Sequence, residues 1–230
     1  MKRLLLAGTS ACCLLGAASA VQAQEGFYVG GAGGFNFAED LEMGDVNPCC
    51  GPGDREIDFD DGFAVLGALG YMFASGFRVE GEASYRENDV DSVTVQGEGT
   101  TPRSGDVGVF ALMANGWYDI EVVDNVQIHL GGGIGVGFLS ADVNDVSVFG
   151  PTRRLDDNAT VFAYQLGGGV AYVLDNGVAF TADYRFFGTT DPDLDVSTGG
   201  GNVDADADGY HSHSILFGIR MPLQVVGVGP

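Results

Sequence analysis

Basic residues are scarce in this chain of 230 residues. Lysine and arginine together number 10 against 32 acids, and the formal net charge is −22 at pH 7. Because binding to nucleic-acid phosphates needs a basic surface, this balance excludes a nucleic-acid partner. Hydrophobic residues nevertheless make up 45% of the chain, which excludes an acidic disordered protein.

Long apolar runs are also absent beyond the first 23 residues. None reaches the roughly 18 to 20 residues of a membrane helix. Seven prolines without a Gly-X-Y period exclude collagen. Glycine, by contrast, is abundant at 38 residues, and because glycine disfavours the helix, this content argues against a mainly helical fold.

The first 23 residues have the pattern of an export signal. Lys2 and Arg3 precede a short apolar core, and small residues collect at its end,. We predict cleavage after Ala23, with Ala20 as the second candidate. An uncleaved anchor and a lipoprotein are the alternatives. The predicted organisation is a signal peptide at 1–23 followed by one barrel domain at 24–230.

Cleavage would remove both Lys2 and Arg3. The remainder has eight bases, all arginine, and the same 32 acids, for a net charge of −24. It keeps the adjacent pair Cys49 and Cys50, and export implies a compartment that permits disulfides. Neighbouring cysteines close only a small ring, so they cannot join distant strands. A loop pair without a folding role, a vicinal disulfide and a metal contact are the three interpretations.

Apolar and polar residues alternate in eight long segments. In the first segment Phe27, Val29, Phe35 and Phe37 share one face, as in a strand with two different sides. At roughly 11 to 15 residues, the segments exceed the usual 5 or 6 of soluble strands. They suit the about 9 to 11 residues that cross a bilayer. The predicted strands are 26–38, 62–73, 77–87, 107–120, 126–139, 160–174, 178–188 and 210–223.

Long and short connections alternate strictly between these strands. Short links lie near 74–76, 121–125 and 175–177, and the long links carry most of the acids. This asymmetry is typical of outer-membrane barrels, and lipid forbids open sheet edges. The sequence therefore predicts an all-β, eight-stranded antiparallel up-and-down transmembrane β-barrel over about 26–223, with a short tail at 224–230. The predicted long links are 39–61, 88–106, 140–158 and 189–209.

Most charged residues in the predicted strands lie on the polar face of the alternating pattern, and this face should point into the barrel. Because unpaired buried charges are costly, we expect them to pair, with Glu80 and Glu82 meeting Arg185 across the interior. A packed polar core that closes the barrel and a narrow gated pore are both open. The predicted interior charge network comprises Arg78, Glu80, Glu82, Arg86, Asp183, Arg185 and Arg220.

Asp204, Asp206 and Asp208, followed by Gly209, have the spacing that begins a calcium loop,. The twelfth position is Ile215 rather than glutamate, and a strand follows instead of a helix, so an EF-hand is excluded. A solvated acidic loop and loose binding of divalent cations by these three aspartates are the remaining interpretations.

Signals for catalysis and cofactors are weak. His213 and Ser214 suggest a lipid hydrolase, yet neighbours on one strand face opposite sides, and a nucleophile and base also need an orienting acid. The glycine-rich run 131–137 lacks the spacing and lysine of a phosphate loop; its inward glycines instead make room for large neighbours. His129 is predicted to be a packed polar residue. We predict no catalytic residue and no cofactor.

Five segments together resemble the OmpA-like outer membrane beta-barrel family. They are FRVEGEASYR at 77–86, LMANGWYD at 112–119, YQLGGGV at 164–170, DYRFF at 183–187 and HSILFGIR at 213–220. The resemblance covers nearly all of 26–223 and implies the outer membrane of a Gram-negative bacterium. One departure is Leu223, which stands where the family's last strand usually ends in an aromatic residue.

These observations predict a non-enzymatic integral outer membrane protein with a structural, surface-exposed role and acidic external loops. The alternatives are a small, weakly cation-preferring channel, an outer-membrane lipid-modifying enzyme, and a soluble periplasmic barrel for an apolar ligand, which the outward apolar faces oppose. Expected partners are outer-membrane lipid and lipopolysaccharide, divalent cations and, during assembly, the barrel-insertion machinery and periplasmic chaperones.

Overall fold

The structure, a computed structural model, describes eight stretches of the chain. Side chains are described at 25–39, 60–89, 106–140, 159–191 and 209–223. Ala23, the pair Cys49 and Cys50, and the tail at 224–230 lie outside the described residues. Within the described residues, no helix is long and apolar enough to cross a membrane. The described stretches are 25–39, 41–43, 55–95, 99–144, 154–191, 193–198, 201–206 and 209–223.

Twelve β-strands are present in the described part of the chain. The first six are β1 (Gly26–Ala38), β2 (Leu41–Met43), β3 (Arg55–Phe59), β4 (Gly62–Met72), β5 (Phe77–Val95) and β6 (Gly99–Val123). The other six are β7 (Val126–Asn144), β8 (Arg154–Val173), β9 (Ala179–Thr189), β10 (Asp193–Thr198), β11 (Gly201–Asp206) and β12 (His211–Pro222).

Eight of these strands close into an antiparallel barrel. Each of β1, β4, β5, β6, β7, β8 and β9 pairs with the next barrel strand along the chain. The last strand, β12, pairs with β1 in a seam that sets Val29 opposite Met221 and Ala38 opposite Ser212. The predicted eight-stranded antiparallel barrel is therefore confirmed.

Tight turns join the strands at the end of the barrel where β1 begins and β12 ends. Gly76 and Gly177 have φ angles of 84° and 80°, and Asn125 has 67°, all in the left-handed region that glycine and asparagine tolerate best. A Cβ on Gly76 would also lie 2.7 Å from the Asp119 carbonyl oxygen. These turns mark the periplasmic end, since periplasmic turns in such barrels are short.

The predicted long links contain more strand than the sequence indicated. Strand β5 runs on to Val95, which pairs with Gly99 at the start of β6, and β7 runs on to Asn144, which pairs with Arg154 at the start of β8. Two short strands, β2 and β3, join the edge of β5, and β10 pairs with β11. The prediction of loops there was wrong, because backbone pairing continues in water after the lipid-facing apolar pattern has stopped. The wall formed by β5–β8 consequently stands higher than the remaining four strands.

The two faces of the barrel have opposite polarity. Outward side chains such as Leu69, Leu130 and Leu166 are more than half exposed, whereas inward Gln165 and Ser214 are almost fully buried. Soluble proteins bury the apolar face instead. An apolar outer surface around a polar interior is the arrangement expected for a barrel in lipid.

Candidate functional site

We call the interior of the barrel the lumen. Its periplasmic half holds a layer of paired charges. Arg78 binds Asp119 through two hydrogen bonds, from Nε at 2.7 Å and Nη2 at 3.1 Å. Such two-point pairing is the strong form of an arginine–carboxylate contact. Arg220 Nη1 lies 3.6 Å from the same carboxylate, and Arg78 Nη1 lies 3.4 Å from Glu80. Two cations and two acids therefore share this layer.

Glu80 also accepts hydrogen bonds from neutral donors on two neighbouring elements. Tyr28 Oη donates at 2.8 Å and Trp117 Nε1 at 3.2 Å. Glu80 is only 8% exposed, so these hydrogen bonds replace those that its carboxylate would make with water. The layer is thereby tied to β1 and β6 as well as β5.

Glu82 is the centre of the next layer. It accepts from Arg185 Nη1, from Asn115 Nδ2 at 3.0 Å and from Gln165 Nε2 at 3.3 Å. The donors lie on β9, β6 and β8, so one carboxylate on β5 links four strands across the lumen. The guanidinium of Arg185 also lies 4.7 Å from the centre of the Trp117 ring, a cation–π contact that further fixes its position.

A second acid–base pair lies beside this layer. His129 Nε2 is 2.6 Å from Asp183 Oδ1, and the imidazole meets the Trp117 ring edge-on at 6.1 Å. His129 Nδ1 has no hydrogen-bond partner among the described residues. The predicted role of His129 as a packed polar residue agrees with its 4% exposure.

The outer half of the lumen holds an apolar cluster beside buried polar side chains such as Asn36 and Asn88. The Arg86 guanidinium lies over the Phe187 ring, 3.9 Å from the ring centre. Arg86 Nη1 donates a hydrogen bond to Ser84 at 3.0 Å. Arg86 is 1% exposed, and the described residues place no carboxylate within ion-pair distance of it. The apolar members of this layer are Val109, Ala111, Met113, Ala163, Phe187 and Tyr210.

Glycines on β7 make room for the largest of these inward side chains. Trp117, Asn115 and Met113 of β6 stand opposite Gly131, Gly133 and Gly135. A Cβ on Gly131 would lie 2.7 Å from the Trp117 ring, and one on Gly135 would lie 2.8 Å from Met113 Sδ. The glycine-rich run therefore serves packing, as the sequence predicted.

Little space remains between the layers. A cavity of about 40 Å³ lies beside the charge network, against Gly30, Ala32 and Thr181. A larger basin of about 640 Å³ opens at the periplasmic end, with Tyr28 and Arg220 among its lining. The buried side chains of the charge network lie between this basin and the outer half of the lumen.

All seven predicted network residues lie in the lumen, with exposures of 1–8%. Arg185 meets Glu82, whereas Glu80 associates with Arg78 instead. Asp119 is a further member that was not predicted, and it brings the buried acids to four against four arginines. Its position offered a signal, because residue 119 shares the inward parity of Trp117 and Asn115.

The histidine and serine residues of β12 are separated by the sheet. Ser212 and Ser214 point inward and are fully buried, and Ser214 Oγ donates to Asn36 at 2.6 Å. His213 is on the opposite face, with its Nδ1 2.6 Å from Tyr184 Oη. The described residues thus contain no Ser–His pair on this strand.

The predicted cation site lies largely outside the described structure. Asp204 and Asp206 fall in β11, but their side chains are not described, and Asp208 lies outside the described residues. Among the residues that are described, no group of three or more His, Cys, Asp or Glu side chains could hold a metal ion.

A closed antiparallel barrel with an apolar exterior and a polar lumen defines an integral outer membrane β-barrel protein. The family model for the outer membrane protein beta-barrel domain matches residues 5–219. The chain belongs to this family, and the predicted resemblance and outer-membrane location are confirmed.

Two curated relatives carry matching names. An outer membrane protein of Gluconacetobacter diazotrophicus is 29% identical over 177 residues, which cover 70% of this chain and 46% of that protein. The chain thus spans about half the length of this relative. A 22 kDa outer membrane protein of Rhizobium leguminosarum bv. viciae is 27% identical over 198 residues, covering 85% and 76% of the two chains.

Solved structures of small outer-membrane barrels share the fold. OprG from Pseudomonas aeruginosa has a TM-score of 0.54 at 16% identity and covers 88% of this chain and all of its own. AlkL, determined in DMPC bilayers, has a TM-score of 0.51 at 15% identity with both chains fully covered. Neisserial surface protein A has a TM-score of 0.50 at 16% identity, covering 86% and 97%. At these identities the similarity shows the fold alone.

Proposed function

We propose that this outer membrane protein is a non-enzymatic, structural and surface-exposed barrel whose lumen is closed. The observation that carries the proposal is the position of Glu82, which is bonded at once to Arg185, Asn115 and Gln165 from three other strands. Such a link occupies the centre of the lumen. Contacts with ions, lipopolysaccharide or other macromolecules are then assigned to the predicted acidic long links.

The absence of enzymatic activity is supported by the placement of the polar residues. Ser212 and Ser214 face the lumen, and His213 faces the membrane side. A nucleophile and its base need hydrogen-bond contact, which opposite faces of a sheet prevent. The relatives are named simply as outer membrane proteins, in keeping with a role that is not catalytic.

Conductance of the refolded chain 24–230 in a planar bilayer tests the closed lumen. Folding is first verified by the gel shift between unheated and boiled samples. We expect a folded barrel that gives no discrete current steps at neutral pH. Reproducible current steps from the folded protein would contradict the proposal.

A narrow cation-preferring pore is the second candidate, supported by the cavity of about 40 Å³. Its lining includes the acids Glu80 and Asp183. If the native barrel conducts, Glu80→Gln with Glu82→Gln should change both conductance and ion preference. Glu121→Gln at the periplasmic rim is the matched control. Current steps that are unchanged by both lumen substitutions would exclude an ion path through this network.

A further inference from the structure

An unusual group of rings lies on the outer surface of β8, β9 and β12. The Phe186 ring stacks on His211 at 5.9 Å and 11°, and it lies 5.3 Å from His213. Tyr184 stacks on His213 at 5.9 Å and 26°, and Tyr164 lies 6.2 Å from Phe186. We call these five residues the ring cluster. Two imidazoles are out of place on a surface that is otherwise apolar.

The polar edges of the ring cluster are held in fixed positions. His213 Nε2 lies 2.8 Å from Glu39 Oε1, and its Nδ1 lies 2.6 Å from Tyr184 Oη. His211 Nε2 lies 3.1 Å from Tyr164 Oη. Glu39 remains accessible, with its side chain 52% exposed. A carboxylate, two imidazoles and two phenols are therefore aligned beside stacked rings before any ligand arrives.

Gly188 lets these rings lie close to the barrel wall. It sits between Tyr164 on β8 and His211 on β12 in the sheet register. A Cβ at this position would lie 2.6 Å from Tyr164 Cζ and 2.9 Å from His211 Cδ2. The two rings consequently meet across the glycine, and adding a methyl group would push them apart.

The height of the ring cluster places it at the outer membrane surface. His213 and His211 lie 9 and 11 residues before Pro222, where β12 reaches the periplasmic end. About ten residues of strand, rising about 3.3 Å each and tilted by about 40°, climb roughly 25 Å, the height of the apolar band. The rings therefore face sideways at the level of the outer-leaflet headgroups.

We propose that the ring cluster and Glu39 bind the saccharide headgroup of an outer-leaflet glycolipid. Flat rings pack against the C–H face of a sugar. The imidazoles hold the Glu39 carboxylate and the tyrosine hydroxyls in place, and the remaining lone pairs of these oxygens accept hydrogen bonds from the sugar hydroxyls. A bare phosphate is the poorer match at Glu39, because a carboxylate accepts hydrogen bonds from sugar hydroxyls, whereas ionised phosphate oxygens only accept them. The stacked pair Phe110 and Phe138, 6.1 Å apart on β6 and β7, has only hydrocarbon edges and suits an acyl chain. This site does not depend on whether the lumen conducts.

Native mass spectrometry of the refolded chain 24–230 tests the site. The probes are a purified lipid A–core glycolipid and phosphatidylglycerol, which separates sugar recognition from attraction to any anionic lipid. We expect the glycolipid to be retained at least tenfold better than phosphatidylglycerol. In His211→Ala with His213→Ala, this preference should fall at least fivefold.

Two further variants keep the test independent of lost folding. Glu39→Gln and Gly188→Ala leave every ring in the chain, and each should weaken glycolipid retention at least threefold while the heat-dependent gel shift persists. Phe138→Ala, which removes an outward ring from β7, should leave the preference unchanged. Equal retention of the two lipids by the native protein would overturn the proposal. So would native-like glycolipid retention by the folded double histidine variant.

Discussion

Strand β7 shows two different uses of neighbouring residues. On its membrane side stand Ile128, Leu130, Ile134, Val136 and Phe138, all exposed. On its lumen side stand His129 and a row of four glycines, three of which are set against large residues of β6. The lipid-facing side needs only apolar surface of any shape, whereas the lumen side needs exact complementarity of volume and hydrogen bonding. We therefore expect the two faces to tolerate substitution very differently.

Removing one charge from the lumen should have the largest effect. Glu82→Gln leaves Arg185 buried without its ion-pair partner, and breaking such a pair costs about 3–5 kcal/mol. Urea unfolding in lipid vesicles, followed by the gel shift of unheated samples, measures the loss. Arg185→Met should cost a similar amount, and the double variant less than the sum, since each single change already breaks the pair. Additive losses would mean that the two residues are not coupled.

Placing a charge on the membrane face should have the next largest effect. Ile134 is 59% exposed in the middle of β7, and Ile134→Arg should cost about 2–4 kcal/mol if lipid covers that position. Ile134→Leu is the matched control and should be nearly neutral. The same vesicle unfolding assay measures both. If Ile134→Arg left stability unchanged, the comparison would fail, because that face would then be in contact with water.

Glycines on the two faces should differ by a smaller amount. A Cβ at Gly133 would overlap the Asn115 side chain and the Ala114 carbonyl, whereas one at Gly67, on the membrane side of β4, meets nothing within 4 Å. Gly133→Ala should cost about 1–3 kcal/mol through overpacking. Gly67→Ala should change stability by less than about 0.5 kcal/mol. Similar unfolding midpoints for the two variants would contradict a tightly packed lumen.

The fold was largely predictable because lipid imposes a strict alternation. The predicted strand at 26–38 coincides with β1, and that at 77–87 begins with β5 at Phe77. Beyond the membrane this constraint disappears, so the continuation of β5 to Val95 and the start of β6 at Gly99 gave no apolar signal. Strand pairing there depends on backbone hydrogen bonds, which every residue can make, proline through its carbonyl alone.

The lumen was predictable in its membership and in the pairing of Glu82 with Arg185, but not in its other pairings. Parity shows that Glu80 and Glu82 point inward, yet it does not show which opposing strand each one faces. That depends on how far neighbouring strands are staggered around the barrel. Thus Glu82 meets Arg185 while Glu80 meets Arg78, and Arg86 stacks on Phe187. Asp119 was not predicted, although the alternation of the strand places it on the inward face.

The seam between β1 and β12 also governs how the molecule must be made. Every other neighbouring pair joins one barrel strand to the next barrel strand along the chain, but this one brings Tyr28 against Pro222. Non-local pairing of this kind is slow to find, and until it forms two sheet edges remain open in a solvent that cannot hydrogen-bond to them. Intermediates with some strands inserted are therefore poor resting states. The rate at which the two ends of the chain find each other should limit the maturation of the whole barrel.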